Sequence, residues 1–391
     1  MIAKKIKILC VSGYYLPGYK GGGPIRTIAN MCAAMTADVE FWIFTRDRDL
    51  GAGASYSGIQ VNCWTCQGNA MVYYASPDCF NLAGLIQAMG SSKFDVVYLN
   101  SFFSFSASIS IYLGWRVGKL RDARILIAPR GEFSEGALAL KSFKKKVFLA
   151  GSKLMRLYKD IHWHASTEHE AADILKVFPG VSSKIHVAAD LVSIKHDSFS
   201  EDDEVNNSDG LQIVFVSRIS PMKNLDGLLD ILGQVKSKVK LSIFGPIEDE
   251  KYWHQCLAMI AVMPDNIRIE YCGALEPDNV SREFSKYHLF AFPTHGENFG
   301  HVIFESLRAG TPVLLSDQTP WRQQPDGAVT VVSLKSKAKW VEAIESAASR
   351  SADQHKQARS AAIKFAKQYI ADSDDTAANI KMFRIVSGLN F

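Results

Sequence analysis

The residues PTHGENFGHVIFESLRAGTPVLLSD, 293–317, read as the end of a buried strand, a glycine-bearing turn, an amphipathic helix from about Gly300 to Arg308, and a second buried strand, PVLLSD. That is half of a βαβ unit with polar residues gathered at its turn. Glu297 stands in the turn and Glu305 on the helix, with seven residues between them. At ~1.5 Å rise per residue the second carboxylate lies roughly 7 Å along the helix, so the two flank its N-terminus without touching. A helix N-terminus offers unpaired N–H groups and partial positive charge, which suits an anion such as a phosphate. Asn298, Phe299, Gly300 and His301 are placed to supply those groups, and Gly300 lets a ligand approach closely.

Outward from this stretch the same alternation recurs. LQIVFVSRI, VKLSIFGP, IRIEYCGA and YHLFAFPT precede it and AVTVVS follows. An earlier series, KIKILCVSG, VEFWIFT, DVVYLNS, ARILIAPRG, DIHWHAST and KIHVAADLV, occupies the first half. Continuous apolar runs separated by helical patterns predict parallel sheets covered on both faces. Between the two series HDSFSEDDEVNNSDG, 196–210, is acidic, polar and aperiodic, as a linker or boundary loop is. The expectation is α/β: two doubly wound Rossmann-like domains facing a central cleft, one over 1–200 and one over 208–373, with a final helix over 374–391.

Three further loops carry chemistry. GYYLPGYKGGGPIRT, 13–27, sets three glycines before the proline that opens a helix, so Gly22 and Gly23 can close backbone N–H groups on a phosphate or sugar; a flexible turn is the plain alternative. Arg26 stands where a dinucleotide fingerprint needs its third glycine, which excludes that motif. VFVSRISPMKNLDGLLDIL, 214–232, puts Arg218 at a strand end and Lys223 beside the next helix, two cations able to neutralise a departing diphosphate. Taken alone, such a pair is more often surface charge. In the first half, YLNSFFS (98–104) and APRGEFSEGAL (128–138) also sit at strand ends. His162 and His164 lie within a strand, where core histidines are commoner than catalytic ones.

Glu297, seven residues and Glu305, framed by PTHGENFG and AGTPVLLSD, resemble the signature of retaining glycosyltransferases of family four, which have the GT-B fold. The phrase around Arg218, Lys223, Asn224 and Leu225 resembles that family's diphosphate-binding motif, and the triple glycine its GG loop. The resemblance implies that Glu297 contacts the donor sugar and Glu305 the ribose, and that the loop at Gly273, Ala274 and Leu275 meets the nucleobase through backbone. It implies a hexosyltransferase without metal or other cofactor, its donor a nucleotide sugar, most commonly of uridine. In such a final helix the family's chain crosses back to the first domain. Relatives carry a histidine in a position like that of Asn100. The departure points to an acceptor side shaped by Asn100, Arg130 and Glu132, although Arg130 is also placed to pair with Glu132 or Glu135. The implied acceptor is a glycan or a polyprenyl-diphosphate-linked glycan in cell-surface polysaccharide or lipopolysaccharide synthesis. The alternatives are a nucleotide-sugar 2-epimerase of the same fold and a non-catalytic nucleotide-binding partner. A glycosidase using Glu297 and Glu305 would have no use for two cations beside a phosphate-binding helix.

The chain has 391 residues, enough for two cores, with 47% hydrophobic and 21% charged residues as in soluble globular proteins. A net charge of +4 gives no case for nucleic acid. Residues 1–190 carry 22 Lys and Arg against 14 Asp and Glu, net +8, leaving 22 against 26, net −4, beyond them. A basic first half points to an anionic partner there, a lipid diphosphate or a membrane surface. Seven scattered cysteines do not form a secreted disulfide framework. Cys63 and Cys66 lack the further ligands of a zinc site and read as two buried thiols near an edge strand. MIAKKIKILCVSG has too short an apolar run for a signal peptide, and the uncharged run Val96 to Trp115 contains Asn100 and five serines, so it reads as strand, loop and helix. The expected location is cytoplasmic. From Leu138 to Ile161 the pattern predicts one helix with Leu140, Phe143, Val147, Gly151, Leu154 and Tyr158 on one face and Lys141, Lys145, Lys153, Arg156 and Lys159 opposite or flanking. It is either an ordinary core-packed helix or a peripheral contact with anionic lipid at the inner face of the membrane, with Phe102, Phe103 and Phe105 near the lipid.

Overall fold

A computed structural model describes residues 4–120, 122–139, 142–193 and 210–389. The chain divides into two compact units, Met1–Ser193 with Asp374–Phe391, and Ile194–Ser373. The linker expected over 196–210 lies outside the described residues apart from Gly210, as do Leu140 and Lys141 of the expected long helix.

The first unit is built on an eight-stranded sheet of β1 (Ile6–Val11), β2 (Val39–Arg46), β3 (Trp64–Gln67), β4 (Ala70–Ala75), β5 (Val96–Leu99), β6 (Arg124–Ile127), β7 (His162–Ala165) and β8 (Ile185–Val187). Their order is β3-β4-β2-β1-β5-β6-β7-β8. All pairs are parallel except β3 with β4, a hairpin turning at Gly68 and Asn69. The uncharged run does resolve into strand, loop and helix: β5, then the helical residues Phe105–Ile109 and Ser110–Arg116. The final helix, Asp375–Ser387, packs within this unit, setting Phe383 edge-on to Phe41 and Tyr98. Asn379 donates to the carbonyl of Ala189, and Arg384 bonds Asp38 at 2.7 Å.

Three expectations in this unit fail. Cys66 is exposed and Cys63 half-buried, because β3 is the sheet's edge strand with only one neighbour. The helix expected to run to Ile161 stops at Leu154, just before Arg156 and Tyr158 take positive φ values of 49° and 65°; the described residues Glu135–Ala139 and Ser142–Leu154 are helical. Tyr158 leaves the helical path to bury its ring on Tyr112, at a centroid distance of 4.2 Å, and its N–H donates to the Tyr112 hydroxyl. Phe102 is fully buried among Phe133, Tyr158, Trp163 and Phe178, so it is core rather than a lipid contact.

The second unit is a six-stranded parallel sheet of β9 (Leu211–Val216), β10 (Val239–Phe244), β11 (Ile267–Tyr271), β12 (Leu289–Phe292), β13 (Val313–Ser316) and β14 (Val329–Val332), ordered β11-β10-β9-β12-β13-β14. β12 and β13 are buried along their whole length, which is why their sequences are continuous rather than alternating. From β9 the chain moves outward to β10 and β11, then returns to the other side for β12. The loops after β9 and β12 therefore part at the carboxyl end of the sheet, where this class of fold forms its crevice.

Burial lowers the pKa of His164 from 6.5 to about 3 and, with the neighbouring His186, that of His162 to about 4. A histidine whose folded pKa lies below its unfolded value is protonated first in the unfolded chain. Its stabilising contribution is complete above pH 6.5 and lost as the pH falls toward the folded value. Thermal denaturation should show a melting temperature that is level above pH 7 and falls steadily from pH 6.5 to 4; a level profile down to pH 4.5 would contradict the buried neutral state.

Candidate functional site

At the carboxyl end of the second sheet, the backbone places the chemistry before any side chain does. After β9 a short turn, Pro221–Lys223, leads into the helix Leu225–Leu232 through Asn224, held left-handed at φ 57°. The Asn224 amide donates to the carbonyl of Pro293 at 2.7 Å, and the Thr294 hydroxyl and His295 N–H both donate to the carbonyl of Met222. The loop after β12 is thereby laced to the loop after β9. A side chain at position 227 would strike Asn224, which fixes Gly227 as part of the same turn.

The lacing brings Lys223 and Glu297 together, Nζ to Oε2 at 2.7 Å, with only 12% and 18% of the two side chains exposed. The ammonium also stands 5.5 Å from the centre of the Phe292 ring. Arg218, two residues past β9, reaches Glu248 in the loop after β10 at 2.7 Å, with both side chains about a third exposed. Glu248 went unnoticed in the sequence. The available signal was its loop, GPIEDE, at the carboxyl end of a buried strand, where Gly245 has φ 140° and no room for a side chain against the Ser217 carbonyl.

The helix His301–Arg308 begins beside this pair. Gly300 precedes it at φ 81°, and a Cβ there would lie 2.7 Å from Ile303 and 2.9 Å from the Glu297 side chain. The glycine therefore leaves room for the catalytic-looking carboxylate itself, a closer constraint than approach of a ligand. Phe299 is buried with its ring on Trp321, whose indole N–H donates to the Phe299 carbonyl at 2.6 Å. The Asn298 amide nitrogen is buried without a partner. Glu305, half-buried, lies one turn along the helix. Gly273, at φ 80° with open space around it, and half-buried Leu275 form the loop after β11. A lysine held by a carboxylate beside a helix N-terminus whose first N–H groups have no partner within the helix makes a place for an anion, and Arg218 with Glu248 stands at the end of the neighbouring strand β9.

The acceptor-side candidates belong to the first unit. Asn100 ends β5, its amide donating to Cys10 Sγ and its Oδ1 accepting from Arg130. The Arg130 side chain, on a backbone at φ 55°, is buried; it pairs with Asp190, sixty residues on, and donates to the Tyr98 hydroxyl, while Glu132 is engaged elsewhere; the Glu135 side chain lies outside the described ones. Tyr98 in turn bonds His164 Nδ1, whose Nε2 meets the carbonyl of Ala188. The Glu132 carboxylate accepts the Ser101 hydroxyl and the N–H groups of Phe102 and Phe103, and burial raises its pKa. Gly22, at φ 79° and ψ −149°, leads into the helix Gly23–Ala34. Among the described residues no cluster of three or more metal-ligating side chains occurs.

Residues 198–365 match the family described as glycosyl transferases group 1. That match covers less than half of the chain and lies within the second unit. The chain is also similar in fold to solved structures over nearly its whole length. HepE of Anabaena in complex with UDP and glucose superimposes with a TM-score of 0.69 at 14% identity, covering 98% of this chain and 100% of that one. Sucrose-phosphate synthase from Thermosynechococcus elongatus gives 0.71 at 14% identity, covering 99% and 100%. WaaG, a glycosyltransferase involved in lipopolysaccharide biosynthesis, gives 0.60 at 14% identity, covering 98% and 100%. The fold is GT-B. No curated protein sequence matches the chain.

The two left-handed glycines of the site separate strain from crowding. Gly273→Ala should cost about 1 kcal/mol, the strain of a left-handed alanine alone. Gly300→Ala should cost a further ~1–3 kcal/mol, because its Cβ has nowhere to go. Urea denaturation of the two variants measures the difference, and equal losses would contradict the contact with Ile303 and Glu297.

Proposed function

We propose that this protein is a glycosyltransferase that moves a hexose from a nucleoside-diphosphate sugar to a glycan, or to a polyprenyl-diphosphate-linked glycan, with retention at the anomeric carbon. The observation that carries the reading is the Lys223–Glu297 pair at the start of the helix His301–Arg308. A diphosphate leaving group develops charge as the glycosidic bond breaks, and fixed cations with oriented N–H groups lower the barrier by meeting that charge where it forms. Lys223, Arg218 and the N–H groups at Phe299 and Gly300 take this part. Glu297 orients the sugar, Glu305 and Asn298 hold the ribose and sugar side, and the loop at Gly273 and Leu275 faces the base. The acceptor hydroxyl enters on the face the diphosphate leaves, and the departing phosphate accepts its proton. Neither a metal nor a covalent intermediate is required.

A uridine donor is favoured because HepE, of the same fold, was solved with UDP and glucose. In the first unit Gly22 and Gly23 are assigned to the donor's phosphate or sugar. Asn100, Arg130 and Glu132 are assigned to the acceptor side as positioning residues. Their side chains are spent on internal partners, and they fix the loops after β5 and β6. A role in cell-surface polysaccharide synthesis, at the cytoplasmic face of the membrane, fits the basic first half and the lipopolysaccharide role printed for WaaG.

Uridine diphosphate should raise the melting temperature more than guanosine diphosphate, since a ligand of the folded state stabilises it by mass action. With the donor so chosen, Lys223→Ala and Arg218→Ala should each lower turnover by about a hundredfold or more, the scale of one lost charge-stabilising group. Full turnover in both variants would overturn the assignment. Release of an epimerised free sugar without an acceptor would replace transfer by epimerisation.

A further inference from the structure

The helix Ser142–Leu154 is oriented inside out. Its packed side carries Phe148, Leu149, Ser152 and Lys145; Leu149 and Ser152 are buried, and Phe148 lies against the aromatic core. Lys145 is part of that packing, donating to the carbonyl of Ala137 at 2.6 Å with its ammonium 5.0 Å from the centre of the Phe103 ring. The outer side carries the large apolar groups: Phe143 is 78% exposed, Val147 58% and Leu154 86%. At about 100° per residue these three and Ala150 fall within roughly 60° of one another. Lys146 and Lys153 border the strip on one side and Lys144 on the other, all exposed.

The surroundings extend the pattern. Between Gly136 and Lys159 the sequence has seven Lys or Arg and no carboxylate. The helix Ser110–Arg116 is tied to the end of this segment by Tyr112 stacked on Tyr158 and by Arg116 on Asp160 at 3.6 Å. It adds exposed Leu113, and Val117 follows one turn on. A soluble helix turns its apolar stripe to the core and its lysines to water. An apolar centre facing outward between lysines whose long stems reach sideways is the arrangement of a helix lying in a lipid interface. No helix among the described residues is long and apolar enough to cross a membrane.

We infer that the outer face of the helix Ser142–Leu154 docks this unit on an anionic lipid bilayer, with Phe143, Val147 and Leu154 entering the acyl boundary and Lys144, Lys146 and Lys153 on the headgroups. The inference rests on the reading of a membrane-linked acceptor, and it moves the contact from the lysine face of the helix to its apolar face. The lysine charge makes the attraction specific for anionic lipid and sensitive to salt.

The test is flotation of the full chain with vesicles of phosphatidylcholine, alone or mixed with phosphatidylglycerol. Recovery is expected with mixed vesicles only, falling several-fold at raised salt. Phe143→Ser/Val147→Ser/Leu154→Ser should lose recovery at low salt as well, and Lys144→Ser/Lys146→Ser/Lys153→Ser should lose most of it. Lys145 is left in place because it is packed. Tryptophan emission of Val147→Trp should shift to the blue on mixed vesicles. Unchanged recovery of the apolar variant, equal recovery with neutral vesicles, or unmoved emission would overturn the inference. So would a wild-type dimer in size-exclusion that the apolar variant converts to monomer, because a second copy would then cover the face. Flotation and emission read this surface alone, and the thermal response to uridine diphosphate reads the donor site alone, so failure of either is distinguishable.

Discussion

The ion pair between Lys223 and Glu297 holds the second unit's chemistry together. It joins the loops after β9 and β12, the two strands between which the chain reverses its direction across the sheet. Partly withdrawn from water, each charge is costly without a partner, so the pair constrains both loops more firmly than a surface bridge does. The Asn224 amide on Pro293 and the Thr294 hydroxyl on Met222 tie the same two loops together beside it. On the proposed function the diphosphate takes over the role of the carboxylate toward Lys223 and frees Glu297 for the sugar. The charge of Lys223 is then balanced whether Glu297 or the diphosphate faces it.

The first unit uses buried charge differently. Arg130 reaches Asp190, Tyr98 and Asn100 at once, joining the ends of β5 and β6 to the segment that follows β8. Ala188 and Ala189 in that segment are held by His164 and by Asn379 of the final helix. A guanidinium suits this position because its planar fork serves several acceptors in fixed directions. Glu132 ties the Ser101–Phe103 backbone in the same way. On the proposed function these side chains give the acceptor side rigid loops at the strand ends, since their polar atoms are engaged within the protein.

Much of this was legible where one local rule dominates. All twelve strands expected from apolar runs are present, and in β12 and β13 burial on both faces leaves no alternation to misread. Gly300 and the helix behind it were readable from the turn glycine. The hairpin of β3 and β4 was passed over although Gly68 and Asn69 mark its turn. The end of the helix at Leu154 was not readable, since it is set by Tyr158 finding Tyr112, forty-six residues away. Arg218 with Glu248 and Arg130 with Asp190 are likewise tertiary pairings that no spacing announces. Periodicity also identified the apolar stripe of the helix Ser142–Leu154 without saying which way it faces.

Calorimetric titration of uridine diphosphate into Lys223→Ala and Glu297→Gln tests the central pair most directly. If the diphosphate replaces Glu297 as the partner of Lys223, Lys223→Ala weakens binding by about tenfold or more, ~1.4 kcal/mol. Glu297→Gln then binds at least as tightly as the wild type, because its lysine is already released. Equal weakening in both variants would contradict the account and make the pair a brace between two loops.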